Sequence, residues 1–386
     1  MNNCITDFLG LGNVLIKNVV ETSSKLSVFV ETKPSYPNCP SCGNRTSRIH
    51  DYRNQIIKDL PYRNLTVNLF LRKRRYRCSC GKRFFEKYSF LPRYHHMSQR
   101  VYLNILKELT ESVTFKCVAK RFGVSTNTVA RVCDMLNYTL YKLPETISID
   151  EFKGNSGGNK YQCILTNPTN HKLLDILATR EKDYLHNYFS NYERGNVKYF
   201  IMDMWEPYKD IALTLFPKAM IIIDKYHYIR QVYWALDKVR KRVEKTLSEQ
   251  ERVYLKKQRY LLRKKYYKLK PYEKNNLKKL LSIDNDLKTA WELKELFLDF
   301  TRENNPDKAA KLLKGFIEIS KEVNIEEFRP VITAYTNWFE YIINSKRVAL
   351  TNAYTEGTNN KIKVLKRIGY LYTNFERFRN RILHLK

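Results

Sequence analysis

Thr146-Ile147-Ser148-Ile149-Asp150 decides the fold: apolar and polar side chains alternate, as in a half-buried β-strand, and the run delivers a lone carboxylate. Ser148 and Asp150 face away from the side of Ile147 and Ile149, and the strand is expected to end at Asp150. Working outward, Tyr161 to Thr166 supplies a second strand, Asn167-Pro168-Thr169-Asn170 a turn, and Lys172 to Ala178 a third strand, giving a meander. A helix from Glu181 to Asn191 follows, then a fourth strand, Val197 to Met202, which again leads into a carboxylate, Asp203. A helix around Tyr208 to Leu215 precedes a fifth apolar strand, Ala219 to Ile223, which ends on Asp224. Three strands in series, then helix and strand in alternation, give a mixed sheet, antiparallel at one side and parallel at the other.

From about Tyr228 to Arg347 the strand signal vanishes. Lys- and Arg-rich segments carry Leu, Val, Tyr and Trp at helical spacing, an all-helical insertion whose charges mostly lie on solvated faces. Beyond it, Thr355-Glu356-Gly357-Thr358-Asn359-Asn360-Lys361-Ile362-Lys363 opens a helix. Glu356, Asn360, Lys363 and Arg367 share one face of it, Ile362, Leu365 and Ile368 can pack the other, and Gly369 ends it. Asp150, Asp203 and Glu356 are therefore candidate oxygen ligands for Mg²⁺. Singly, each could equally be a capping or surface acid, and the residues alone allow Asp224 as readily as Asp203.

Upstream, Cys39-Pro40-Ser41-Cys42-Gly43 and Cys78-Ser79-Cys80-Gly81 are two Cys-and-Gly turns that can close a tetrahedral thiolate site for structural Zn²⁺. The second is tighter than usual, with one residue between its cysteines. Leu65, Val67, Leu69 and Leu71 alternate as a strand that runs into Arg72-Lys73-Arg74-Arg75-Tyr76-Arg77, a basic run that is either a solvated face or a DNA contact. Val101, Leu103, Ile105, Leu106 and Leu109 then form a helical stripe. In the segment after it Gly123 turns the chain, Ser125 caps the next helix, and Val129 and Val132 face the core: a helix-turn-helix. Thr126, Asn127, Thr128 and Arg131 would project from its recognition helix toward a major groove.

The chain's 386 residues exceed one folding unit, and 70 Lys+Arg against 39 Asp+Glu leave a net charge of +31, a field that attracts polyanions. No apolar run approaches the roughly 20 residues of a membrane span, so no membrane is expected and nucleic acid is the expected partner. The start of the chain lacks an export signal, which points to the cytoplasm. Cys4, Cys117, Cys133 and Cys163 are scattered, so cysteine usage suits a reducing compartment with one metal site.

Ile149-Asp150-Glu151-Phe152, Met202-Asp203-Met204-Trp205, Ile223-Asp224-Lys225-Tyr226-His227 and the Glu356 block through Leu365-Lys366-Arg367 resemble, in this order, the insertion-sequence transposases of the ISL-three family, across essentially the whole chain. The resemblance implies a multidomain α/β protein: a zinc-knuckle module (1–92), a helix-turn-helix (93–141), an RNase H-like mixed sheet (142–227), a helical insertion (228–345) and a last catalytic piece with the final Glu (346–386). It makes Asp150, Asp203 and Glu356 the three catalytic acids holding two Mg²⁺ or Mn²⁺ ions, and favours Asp203 because the fourth strand then lies beside the first. Asp224 and His227 match an accessory D-x-x-H element. The expected activity is strand cleavage and strand transfer on double-stranded DNA, transposon ends and target, by a bacterial, nucleoid-associated protein at least dimeric on DNA. Lys363, Lys366 and Arg367 would hold flanking phosphates. A non-catalytic DNA-binding regulator and a nuclease without strand transfer are the alternatives.

Overall fold

The computed structural model describes residue 11, residues 14–369 and residues 372–385. They form two compact units, one of the residues up to Tyr138 together with those from Lys363 onward, the other of Thr139–Ile362.

The first unit begins with a sheet. Strands β1 (Val14–Glu21) and β2 (Lys25–Thr32) form a hairpin, as do β3 (Ile49–Tyr62) and β4 (Leu65–Arg77). β2 and β4 pair in parallel, so the strand order is β1-β2-β4-β3, and the short β5 (Arg83–Phe85) extends the far end of β4. The long hairpin turns at Arg63 (φ 46°) and Asn64 (φ 65°), the two consecutive left-handed residues that match strand twist. Val67, Leu69 and Leu71 are buried on one face, and in the basic run the buried positions shift by one residue, to Arg74 and Tyr76 on the other face. Arg74 points inward, 4% exposed, paired with Glu31 at 3.3 Å and Glu86 at 3.5 Å. Arg72 and Arg77 face out. The run is thus not a uniformly solvated face, and its Arg74 is a buried ion-pair partner.

Helices α1 (Gln99–Glu108), α2 (Phe115–Phe122) and α3 (Thr126–Cys133) follow. Gly123 takes the left-handed conformation (φ 61°) between α2 and α3, and Ser125 Oγ accepts from the Thr128 N–H at 3.1 Å. The α1 stripe corrects the sequence expectation: Val101, Ile105 and Leu109 are buried, whereas Leu103 is 57% exposed because its spacing falls off the 3.6-residue period.

The second unit holds a five-stranded sheet of β6 (Thr146–Phe152), β7 (Gln162–Asn167), β8 (Lys172–Leu177), β9 (Tyr199–Met202) and β10 (Met220–Ile223). Its order is β10-β9-β6-β7-β8, parallel across β10, β9 and β6 and antiparallel across β6, β7 and β8, the expected mixed sheet. Helices α4 (Lys182–Ser190) and α5 (Glu206–Leu215) make the crossovers. The helical segment is α6 (Lys225–Thr246), α7 (Glu249–Arg263), α8 (Pro271–Leu281), α9 (Asn285–Arg302), α10 (Pro306–Val323), α11 (Arg329–Asn337) and α12 (Phe339–Arg347). Its core, with Phe297, Phe300, Phe316 and Tyr335, is continuous with that of the sheet. Asn344 on α12 caps the β10 edge by donating to Ile221 O at 2.8 Å.

The boundary between the units falls inside α13 (Ala353–Ile368), and α14 (Phe375–Leu383) belongs with the helix-turn-helix. Arg377 makes two hydrogen bonds to Asp134, at 2.7 and 2.8 Å, just beyond the recognition helix. Arg381, wholly buried, donates to the carbonyls of Glu111 and Val113 in the turn between α1 and α2, at 3.0 and 2.8 Å. The piece read from sequence as catalytic from 346 to 386 is therefore divided, and its end closes the DNA-binding fold. Among the described residues no helix is long and apolar enough to cross a membrane.

Candidate active site

Strand pairing sets the site. β6 and β9 pair with Ser148 opposite Ile201, and β9 and β10 with Met202 opposite Ile223. Continuing that register by one or two residues aligns Asp150, Asp203 and Asp224 across three neighbouring strands. β6 does not end at Asp150, as its pattern suggested, but runs to Phe152 against β7. The strand is longer because β7 supplies hydrogen bonds beyond the point where β9 stops, which leaves Asp150 at a notch facing Asp203.

Asp224 sits at the start of α6, and one turn on His227 folds back over the notch. His227 Nε2 lies 2.9 Å from an Asp203 oxygen and 3.7 Å from one of Asp224. Ligand atoms of Asp150, Asp203 and His227 all lie within 4.8 Å of one another. Burial, then the charge of Asp203, push the Asp150 carboxyl up to about 7. Burial also lifts Asp224, to about 6, with Asp203 and Glu356 adding to it and His227 opposing. Burial works against a charge on His227, but the bond and charge of Asp203, with Asp224 and Asp150, outweigh it and raise the imidazole.

Helix α13 supplies the remaining wall. Ser148 donates to Asn352 at 2.6 Å, Thr166 and Thr355 share a hydrogen bond of 2.7 Å, and Asn359 donates to Asp150 at 2.8 Å, all buried. Asn352, Thr355 and Asn359 thus seat one stripe of α13 on the sheet. Sequence reading assigned them no role; the signal was a polar stripe at helical spacing running into Ile362. Glu356 is exposed and outside the set of clustered ligand atoms, yet near enough to act on Asp224.

The donor set suits a hard divalent cation. Asp224 Oδ2 is buried without a hydrogen bond, the Asp150 carboxyl is held against its neighbours, and the cluster is acidic within a strongly basic chain. Cations seated here would relieve both costs.

The other sequence candidates fall in the first unit. Cys39, Cys42, Cys78 and Cys80 converge, Cys39 to Cys80 at 3.7 Å and Cys42 to Cys78 at 3.5 Å. Gly43 (φ 75°) and Gly81 (φ 85°) make the two turns, so the tight second knuckle closes as well as the first. The Cys80 backbone N–H draws the Cys78 thiol down to about 6, toward the thiolate that zinc binds. The four converging cysteine sulfurs fit a structural zinc site. On α3, Thr126, Asn127 and Arg131 are exposed, and Thr128 is half-buried against Ser125. Lys363 and Arg367 are exposed on α13 and Lys366 is half-buried.

Residues 35–80 match the zinc-finger of the transposases of IS204, IS1001, IS1096 and IS1165, and residues 86–137 the helix-turn-helix domain of transposase family ISL3. The transposase for insertion sequence element IS1001 of Bordetella parapertussis is 25% identical over 368 residues, 92% of this chain and 89% of that protein. Residues 147–382 match the ISL3 family model described as a transposase. That match spans more than half of the chain and comprises the carboxylate-bearing sheet, the helices after it and α13: this chain belongs to the ISL3 family of transposases.

Proposed function

We propose that this DNA transposase acts on the terminal inverted repeats of an insertion sequence, cutting strands and joining them to a target at the notch beside Asp150. The observation that carries the reading is the alignment of Asp150, Asp203 and Asp224, buried or half-buried, across β6, β9 and β10, with Asp224 Oδ2 left without a hydrogen bond. Asp150 and Asp203 hold the cations, with Glu356 as the third carboxylate from the neighbouring turn of α13. Two divalent ions, Mg²⁺ or Mn²⁺, supply the Lewis acidity that phosphoryl transfer between oxygens requires. Asn359 fixes the rotamer of Asp150, and His227 Nε2 holds Asp203, with Asp224 near the same nitrogen. Asp203 is favoured over Asp224 because β9 lies directly beside β6.

Thr126, Asn127, Thr128 and Arg131 read the repeat, and Lys363, Lys366 and Arg367 hold backbone phosphates. Two ends must be cut and joined in concert, so the working form is a dimer or larger, on nucleoid DNA in the cytoplasm. The test is incubation of the full chain with DNA carrying candidate repeats and a target, with and without Mg²⁺ or Mn²⁺. Metal-dependent cutting followed by joining is expected. Cutting alone would make the protein a nuclease, and intact DNA with bound protein a regulator.

A further inference from the structure

The outward face of α6 carries a feature that the phosphoryl-transfer reading leaves unused. Tyr226, Arg230, Trp234, Asp237 and Lys241 recur every three or four residues, so they form one stripe opposite the buried Val232, Ala235 and Val239. Tyr226 and Trp234 are 53% and 54% exposed. The Arg230 guanidinium lies between their rings, 5.0 Å from the first and 4.4 Å from the second, and its buried Nε has no hydrogen bond. Its Nη2 reaches His227 Nδ1 at 3.3 Å, so the stripe starts at the catalytic cluster. Over fifteen residues it extends about 22 Å along the helix at 1.5 Å per residue.

At its far end the stripe opens into a cavity of about 400 Å³ between α6 and α7. Arg240, Lys241, Arg259 and Arg263 line it with Tyr233 and Tyr260, and Asp237 is its one carboxylate. Asp237 is taken up by Arg240 and Lys241, each at 2.9 Å. Arg259 and Arg263 have no carboxylate partner among the described residues; Arg263 rests over the Tyr233 ring at 5.8 Å.

Exposed aromatic rings alternating with unneutralised cations are what an unpaired nucleic-acid strand selects: bases stack on rings of any kind, and phosphates follow the charge. A duplex offers no base face to such rings. We propose that the outer face of α6 and the cavity at its end form a track for an unpaired DNA strand leading away from the catalytic notch. Bases lie on Tyr226, Trp234 and Tyr260, and phosphates on Arg230, Arg259 and Arg263. The proposal rests on the reading of the notch as the site of strand cleavage, where one strand must leave its complement.

The test uses the full chain without divalent cations and two fluorescein-labelled probes, an oligothymidylate and a random duplex of equal length, followed by anisotropy. Trp234→Ala should weaken oligothymidylate binding about five- to a hundredfold, the range set by losing one base–aromatic stack, Arg259→Gln with Arg263→Gln should weaken it by losing phosphate contacts, and both should change duplex binding by no more than about twofold. Trp234→Phe should keep most of the single-strand affinity. Equal losses on both probes, no loss on oligothymidylate, or a phenylalanine variant as weak as the alanine one would overturn the proposal. No cleavage is measured, so a chain that binds the single strand through Trp234 yet never cuts DNA would count against the catalytic reading alone.

Discussion

Asp150→Asn asks whether the sheet of the second unit is built around a carboxylate that folding disfavours. Burial and the Asp203 charge move its carboxyl from 3.8 to about 7. At about 1.36 kcal/mol per pKa unit, the ionised side chain costs the metal-free fold roughly 3–4 kcal/mol at pH 8. The folded value lies above the unfolded one, so between about pH 4 and 7 the folded state binds the additional proton. Wild-type stability therefore falls as pH rises through that window and stays low above it. Asparagine keeps the shape and carries no charge. Its oxygen can still accept from the Glu151 N–H, and the Asn359 amide can turn to present Oδ1, which is now buried without a partner. The variant should therefore be the more stable protein at pH 8. The sheet's calorimetric transition should rise by roughly 6–15 °C at a few degrees per kcal/mol, a gain that fades toward pH 4. The full chain is scanned without added Mg²⁺ and without chelator, so that zinc stays bound. Millimolar Mg²⁺ should then raise the wild-type transition and leave the variant's unchanged. A variant no more stable at pH 8, or a gain equally large at pH 4.5, would refute the reasoning.

Asp203→Asn should be inactive on intact and pre-nicked ends, and Glu356→Gln should lose cleavage while retaining DNA binding; Asp224→Asn should keep some joining on a pre-nicked end. Activity in the first variant together with none in the third would exchange the roles of Asp203 and Asp224, and near wild-type cutting by Glu356→Gln would remove it from the set. Replacing Cys39 and Cys42 by Ser should release one zinc per chain by elemental analysis and weaken DNA binding; zinc-free wild-type protein would end that assignment. Arg131→Ala should lose about 1–3 kcal/mol of preference for the correct repeat in competition with random DNA, whereas equal losses on both would make it a phosphate contact. Arg381→Met leaves the Glu111 and Val113 carbonyls without their buried donor, at a cost of about 2–4 kcal/mol; an unchanged melting temperature of the helix-turn-helix unit would contradict this.

The sheet was legible because its strands alternate cleanly and lead into acids, and the zinc site because a Cys-Gly turn has few other uses. What could not be read locally depends on neighbours distant in sequence. Asp150 lies within a strand and still faces an opening, because β9 stops short of it while β7 continues. Nothing in the run Arg72 to Arg77 distinguishes Arg74, whose carboxylates come from Glu31 on β2 and Glu86 just past β5. In the Glu356 block attention falls on the acid, whereas the helix is seated by Asn352, Thr355 and Asn359, whose partners Ser148, Thr166 and Asp150 lie some two hundred positions earlier. Helix α14 carries three arginines and an apolar stripe that suit any basic surface, and only Asp134 and the two turn carbonyls reveal its place.

That placement has a consequence during synthesis. The DNA-reading fold takes its first helices from residues before Tyr138 and its last from residues after Lys363, so 363 − 138 = 225 positions of chain separate the parts. At roughly 5–20 residues per second a ribosome needs about 10–45 s to cross that interval. Throughout it the emerging helix-turn-helix lacks the Arg377 and Arg381 braces. A chain interrupted within that interval has the helices before Tyr138 but neither of the two arginines that tie α14 to them.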